Sequence, residues 1–281
     1  RDRVILTRNS EVSRTLIKRY IYFMRTIRAF FRIILIFIIL LLGISILAVL
    51  MPFATRETAH AIFMLLKGSL LRAIGVKVHG PKMEGIGPGL IMANHRSYLD
   101  VLFIPTSELF TIVGKIEVRS WPVFGFAGRA LGVLWVNRES KESRSQTRES
   151  IVNAIHSGQK VVIFPEGTSW EGPLLLPLKP GMFHESAKHN FNIYQWSLHF
   201  DNAITGYPPG VSFLKHLWFI CKETSINAYV DVREVPVASS SASELLEDCS
   251  AWWNESLTKL SEKHPARNSG YWPDARIKLL G

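Results

Sequence analysis

The sequence predicts an α/β body, a mixed and largely parallel sheet covered by helices, preceded by an N-terminal membrane helix or helical hairpin. Three observations predict it. Ile33 to Met51 is a run of 19 residues without a charge. From Gly75 onward, short apolar runs of strand length alternate with stretches of helical pattern, the signature of a sheet covered by helices. Two turns, Asn94–Asp100 and the Pro/Gly turn Phe164–Thr168, each follow an apolar run and carry titratable residues.

Charge divides the chain in the same place. The 281 residues carry a net charge of +10, yet residues 1–75 hold twelve Lys/Arg against three Asp/Glu, and the rest is close to neutral. A nucleic-acid-binding body would carry its basic residues clustered on the folded domain, so no nucleic-acid partner is expected. Anionic lipid head groups suit a basic segment beside an apolar run. The two cysteines, Cys221 and Cys249, form neither a disulfide framework nor a metal-ligand pattern.

Residues 1–32 carry nine Lys/Arg, with Phe23, Ile27, Phe30 and Phe31 interleaved with Arg25, Arg28 and Arg32. This reads as a basic helix lying against a membrane, the alternative being a solvated terminus. The 19-residue run that follows, at ~1.5 Å per residue, nearly spans a hydrocarbon core of ~30 Å, and Pro52 ends it. Thr58 to Gly75 is amphipathic, with Lys67 and Arg72 inside it, and is expected in the membrane interface. The positive-inside rule puts residues 1–32 in the cytoplasm. A single span would then leave the body outside, whereas a hairpin of 33–51 and 58–74 returns it to the same side.

Val76–His79 alternates as a strand, and Leu90–Ala93 is a buried-strand run. Ser97 is placed to cap a helix reaching about Pro105. Strands are expected at Thr111–Val113, Leu131–Val136, Lys160–Phe164, Ile193–Phe200 and Ile226–Val235. Helices are expected at Glu117–Ala130, Glu149–His156, Val211–Lys222 and Ser243–Lys263, with Arg138–Arg148 left as a polar, charged segment. Ser239–Ser243 reads as a linker. The organisation is thus a membrane segment over 1–75, a body over 76–236, and a linker, amphipathic helix and tail over 237–281.

Candidate chemistry sits in the two turns. On one helix, residues five apart lie about 140° apart and do not meet. His95 and Asp100 can meet if His95 lies before the helix and Asp100 in its first turn. Asp100 then holds one imidazole nitrogen and the other serves as a base. Ligands of open α/β sheets bind outside the carboxyl ends of strands, so the two turns can share a crevice. There Glu166 could orient a substrate and Gly167 allows close backbone approach. No G-x-S-x-G elbow is present, so a nucleophile from the substrate is consistent with the pattern. His184, Glu185 and His189 match no standard metal spacing and read as structural.

In order and spacing, Asn94–Asp100, the block from Lys115 to Arg138, and Phe164–Thr168 resemble the motifs of the PlsC-type lysophosphatidic-acid acyltransferases. The resemblance covers about residues 75–236. It implies a glycerophospholipid acyltransferase-like fold over the body. It also implies acyl transfer from acyl-CoA or acyl carrier protein to a glycerol hydroxyl of a lysophospholipid, making phosphatidic acid when the acceptor is lysophosphatidic acid. By this resemblance His95 is the general base and Asp100 its partner. Asn94, Arg138, Glu166, Gly167, Thr168 and Lys179 are expected around the substrate, with Arg138 at the acceptor phosphate. No metal or cofactor is required beyond the thioester co-substrate, and the active site is expected at the cytoplasmic face.

Two departures bear on the acceptor. Ser169 stands where the family usually has arginine, with Lys179 or Arg129 as candidate substitutes, and Ile193–Leu198 lacks the proline of the family's fourth block. Asp201–Pro208 is similar to a segment of the lysophospholipid and lysocardiolipin branch. Two other classes are weighed: a non-catalytic membrane adaptor, which has no need of an intact His95, Asp100, Glu166 and Arg138, and a lipid hydrolase using water at the same residues.

Overall fold

A computed structural model of the chain describes residues 2–50, 53, 55–170, 172, 175–208, 210–235 and 240–267. Two helices lead. Helix α1 (Asp2–Leu50) runs unbroken through the basic segment and the apolar run that the sequence analysis kept apart. Helix α2 is Arg56–Ile74. The remaining elements, in order, are β1 (Val76–His79), β2 (Gly89–Ala93), β3 (Phe110–Lys115), α3 (Pro122–Ala130), β4 (Leu134–Val136) and α4 (Lys141–His156). They continue with β5 (Lys160–Ile163), α5 (Gly181–His189), β6 (Asn192–Phe200), α6 (Phe213–Lys222), β7 (Ile226–Val235) and α7 (Ala242–Lys263).

The strands form one sheet in the order β1-β7-β6-β2-β5-β3-β4. Every neighbouring pair is parallel except β6 with β7. β2 is buried along its whole length because helices cover both faces. Its alternate residues divide between two cores: Ile91 and Ala93 join α1, α2 and α6, and Leu90 and Met92 join α4, α5 and α7. Leu90, Ile91 and Met92 each contribute roughly 1.5–3 kcal/mol by leaving water. Helix α7 is bolted across β6, where Trp253 Nε1 donates to Trp196 O (2.9 Å) and Gln195 Nε2 donates to Cys249 O (2.7 Å).

The N-terminal helices form an antiparallel hairpin. Gly43 of α1 meets Leu66 of α2, and Arg32 lies over Gly75, so rising numbers in one helix face falling numbers in the other. Gly75 closes α2 in the left-handed region at φ 85°, with its N–H directed to Leu71 O and Arg72 O. Several basic residues expected at a membrane surface hold the body instead. Arg28 donates to Lys222 O (3.0 Å), and Arg32 to Glu223 O (2.6 Å) and Thr224 O (3.1 Å). These carbonyls lie at the carboxyl end of α6, where a helix leaves acceptors unmet and favours positive charge. Lys67 donates to Ile104 O (2.6 Å), and Arg56 reaches Thr111 Oγ1 and Gln159 Oε1.

Boundaries differ from the sequence reading in four places. The helix expected from Ser97 to Pro105 is one short 3-10 helix, Tyr98–Leu102. The helix expected over Glu117–Ala130 is a 3-10 turn, Ile116–Ser120, followed after Trp121 by α3. Helix α4 starts two turns earlier than expected because Ser140 caps it, its Oγ accepting from Ser143 N (3.1 Å). Helix α5 follows the Lys179–Gly181 turn and had no counterpart in the sequence reading. The expectations for Met51, Pro52, residues 237–239 and the tail 268–281 lie outside the described residues.

Candidate active site

β2 delivers the chain into the first turn. Asn94 is fully buried, and its amide forms a reciprocal pair with Leu198 of β6: Nδ2 donates to Leu198 O (3.0 Å) and Oδ1 accepts from Leu198 N (2.7 Å). Asn94 was expected at the substrate. With its amide committed to β6 it fixes the end of β2 instead. The Ile193–Leu198 departure lies in the same buried strand, with Trp196 and Leu198 in the core, so it shapes the sheet behind the turn.

His95 lies in the turn and Asp100 in the 3-10 helix that follows. The imidazole Nδ1–H donates to Asp100 Oδ2 at 2.7 Å. The same oxygen accepts from Arg96 N (2.6 Å) and Ser97 N (2.8 Å), while Ser97 Oγ accepts from Leu99 N (3.2 Å). This reciprocal cap holds the turn at the helix start, which explains how a five-residue spacing brings the two side chains together. A carboxylate only accepts, so Nδ1 carries the hydrogen and Nε2 is left to take a proton. The ring stacks on Phe164, with centroids 4.2 Å apart and planes 20° apart.

Phe164 opens the second turn. The β2–β5 register, Met92 opposite Ile163, sets the two strand ends side by side. Glu166 then crosses to the first turn: Oε1 accepts from His95 N (2.6 Å) and Oε2 from Leu176 N (2.8 Å). It was expected to orient the acceptor, with a solvent-exposed glutamate as the alternative. It is buried, not solvent-exposed, and with both oxygens on backbone donors it pins the histidine turn. Burial pushes its pKa up, opposed first by Arg96 and then by the two N–H donors. Arg96 is buried beside Glu166 and Asp100, whose charges oppose the loss of hydration that lowers its pKa. Gly167 adopts φ 74°, a conformation costly for any residue with a Cβ.

A cavity of about 550 Å³ opens beside this pair. Phe164, Pro165 and Gly167 form one edge, so the ring under His95 is also a wall of the cavity. Arg138 and Lys179 line it, as do Arg144 and Arg148, which the sequence reading left in a polar segment. Its floor is apolar, from Val113, Val136, Ile151, Ile163 and Met182. Arg138 Nη1 donates to Gly167 O (2.6 Å), and burial lowers its pKa while Glu117 raises it. Of the two candidates to replace the arginine absent at Ser169, Lys179 lines the cavity, whereas Arg129 lies on α3 over the Phe126 ring. Thr168, expected near the substrate, is in the turn but does not line the cavity. Such a site can hold an anionic amphiphile with its charged end on the arginines.

Behind the turn, Tyr98 packs against Tyr207 and Phe213 and shares a hydrogen bond with His216 Nδ1 (3.1 Å). His216 Nε2 faces the carbonyls of Ile204 (2.9 Å) and Gly206 (3.0 Å), and burial holds its pKa down at about 4. Tyr207 N donates to Arg96 O (2.9 Å), so the Asp201–Pro208 segment braces the histidine turn from outside. In α5, Glu185 pairs with His189 (3.6 Å) and approaches Arg148 (3.9 Å), a helix-surface role.

Comparison with known proteins gives consistent findings. Residues 75–197 match the family model described as Acyltransferase. A lyso-ornithine lipid O-acyltransferase of Rhizobium meliloti (strain 1021) is 28% identical over 183 residues, which cover 59% of this chain and 62% of that protein. A 1-acyl-sn-glycerol-3-phosphate acyltransferase of Neisseria gonorrhoeae is 32% identical over 132 residues, 47% of this chain and 52% of that protein. The chain therefore spans between half and two thirds of the length of these relatives. Among solved structures, the 1-acyl-sn-glycerophosphate (LPA) acyltransferase PlsC of Thermotoga maritima aligns with a TM-score of 0.61 at 20% identity, over 85% of this chain and 95% of that one. That likeness is one of fold.

Proposed function

We propose that this chain, whose residues 75–197 match the acyltransferase family model, is a membrane-bound O-acyltransferase. It moves a fatty acyl group from acyl-CoA or acyl carrier protein to the free glycerol hydroxyl of lysophosphatidic acid, giving phosphatidic acid. The observation that carries the reading is the His95 Nδ1–Asp100 Oδ2 pair at 2.7 Å beside a cavity with an arginine-rich rim and an apolar floor.

The chemistry follows from that pair. His95 Nε2 takes the proton of the acceptor hydroxyl as its oxygen attacks the thioester carbonyl, and Asp100 stabilises the imidazolium that forms. Collapse of the tetrahedral intermediate breaks the C–S bond, and the departing sulfur takes the proton back from Nε2. No enzyme nucleophile is needed, because the acceptor supplies the oxygen. Arg138 holds the acceptor phosphate, for which its planar fork suits two oxygens.

The reading also accounts for the N-terminal hairpin. Thr15–Leu50 is long and apolar enough to cross a membrane, and Phe30, Phe31, Phe37, Leu41, Leu42 and Val49 are exposed on it. A large uncovered apolar face of this kind fits a bilayer. The lysolipid stays in that bilayer and the thioester is cytosolic, so the active site opens at the cytoplasmic face.

A thioester-release assay tests this, using a panel of lysolipids with matched acyl-CoA and acyl carrier protein donors. The expected result is thiol release that depends on lysophosphatidic acid and yields phosphatidic acid. In His95→Ala the rate falls by roughly 10²–10⁴-fold while the protein stays folded and membrane-bound. Near-wild-type turnover by that variant sinks the reading. Release of free fatty acid without lysolipid consumption replaces it with hydrolysis. A different acceptor is favoured by Ser169 in place of the family's arginine, and by the relative named for lyso-ornithine lipid. Turnover only with acceptors lacking a phosphate monoester selects that alternative.

A further inference from the structure

We infer that Arg144 and Arg148, together with Lys179, form an anion subsite beyond Arg138 that binds a phosphate monoester of a substrate. The inference rests on the acyl-transfer reading and adds residues that neither the motifs nor the comparisons assign.

The argument begins with helical spacing. Arg144 and Arg148 are four apart on α4, so they share a face, and both line the cavity. Two like charges at this spacing repel each other. Arg144 Nη1 donates to Arg138 O (2.6 Å), a bond that aims it at the rim, and among the described residues no carboxylate pairs with it. Among the described residues, the one ion-pair contact of Arg148 is the distant Glu185, 3.9 Å from Nε to Oε1. Lys179 stands on the cavity wall formed by the second turn, its own N–H directed to Pro165 O (2.8 Å). Among the described residues that line the cavity there is no carboxylate.

Local packing keeps the arrangement open. Gly181 begins α5 under the Arg148 stem, and a Cβ there would stand 3.2 Å from Arg148 Cδ. Any side chain at 181 would press on Arg148. Positive charge gathered over an apolar floor is the pattern expected for a phosphate monoester carried by a molecule with an apolar chain, such as a lysolipid or an acyl-coenzyme A. Arginine forks suit a dianion with three terminal oxygens better than a single carboxylate. The phosphate has two possible sources: the glycerol phosphate of the acceptor and the 3′-phosphate of the coenzyme on the donor.

Binding measurements on the full chain in neutral lipid nanodiscs separate them. One pair of probes is 1-acylglycerol 3-phosphate and the same 1-acylglycerol without phosphate. The other is coenzyme A and 3′-dephospho-coenzyme A. Wild type is expected to prefer the phosphate-bearing member of one pair, and that pair identifies the source. In Arg144→Gln/Arg148→Gln the affinity for that member falls by about ten- to a hundred-fold, as for loss of charge-assisted bonds, while the other member is unaffected. Arg144→Lys/Arg148→Lys keeps the charge and retains part of the preference. The single Arg144→Gln change, at an exposed position, gives a partial loss and needs no rearrangement of the core. The inference is overturned if wild type discriminates within neither pair, or if the double Gln variant keeps wild-type affinities. Binding requires no turnover, so discrimination by a wild-type protein that transfers no acyl group overturns the catalytic reading and leaves the subsite standing.

Discussion

The turn after β2 and the rim of the neighbouring cavity share the Phe164 wall but are held in opposite ways. In the turn, Asn94 is buried and bonded to the backbone of β6, Asp100 is buried and bonded to N–H groups of the turn itself, and the buried Glu166 of the second turn reaches across to His95 N. The rim instead presents Arg144 and Arg148 from a helix surface and Lys179 from a loop, with few bonds to the protein. On the proposed function, the difference separates two tasks. Proton transfer needs His95 within a few tenths of an ångström of one position, so its neighbours are over-determined. Binding a flexible anionic head group needs charge and space, and long side chains supply both without a fixed network.

The largest effect expected is on the pinned side. Asp100→Asn keeps the shape but replaces a triple acceptor with an amide that can donate to Nδ1 and so select the wrong tautomer. Turnover should fall on the order of 10³-fold, read as kcat at saturating substrates. A small loss breaks the comparison, because the turn would then tolerate a misoriented ring. Next, Glu166→Ala leaves His95 N and Leu176 N without their acceptor and should cost about 2–4 kcal/mol of stability. Denaturant titration in detergent reads it, and activity should fall even in the folded fraction, because the histidine turn loses its tie to β5.

A pH effect of similar size comes from His216, which braces Tyr98 behind the turn. Its pKa is held at about 4 in the folded protein, against ~6.5 in the unfolded chain. The unfolded state therefore binds the proton first. Stability is fully present above pH ~6.5 and is lost as the pH falls toward 4, by up to about 3 kcal/mol. His216→Phe should lack that slope when unfolding is followed across this window, and an unchanged slope assigns it elsewhere. The smallest effect sharpens the rim: Arg148→Gln should change folding stability by less than about 0.5 kcal/mol, measured by the same titration. A larger cost means that the rim is structural as well.

What was legible in the sequence follows the range of each interaction. The His95–Asp100 pairing could be read because it is closed within six residues and capped by Ser97. The role of Glu166 could not, because its partner is 71 residues away and only the register of β2 on β5 brings them together. The bond of Asn94 to β6 was hidden for the same reason, its partner Leu198 lying 104 residues away. The rim was hidden by a boundary. With α4 expected to start at Glu149, Arg144 and Arg148 lay in an irregular segment and their shared face did not exist. The cap at Ser140 was the available signal. In the N-terminal segment the uncharged run fixed the helix, but nothing local marked Arg28 and Arg32 as ligands of the α6 carbonyls.

The sequence by itself determined the elements that depend on near neighbours: the apolar helix, the buried strands, the alternation that implies a covered sheet, and the histidine-to-aspartate turn. Tertiary structure alone decided which of the named polar residues line the cavity and which are bonded to the backbone of other segments. A carboxylate or an amide has the same local signature in either role. Burial and the backbone donors that reach it differ, and those are set by strands and helices distant in the chain.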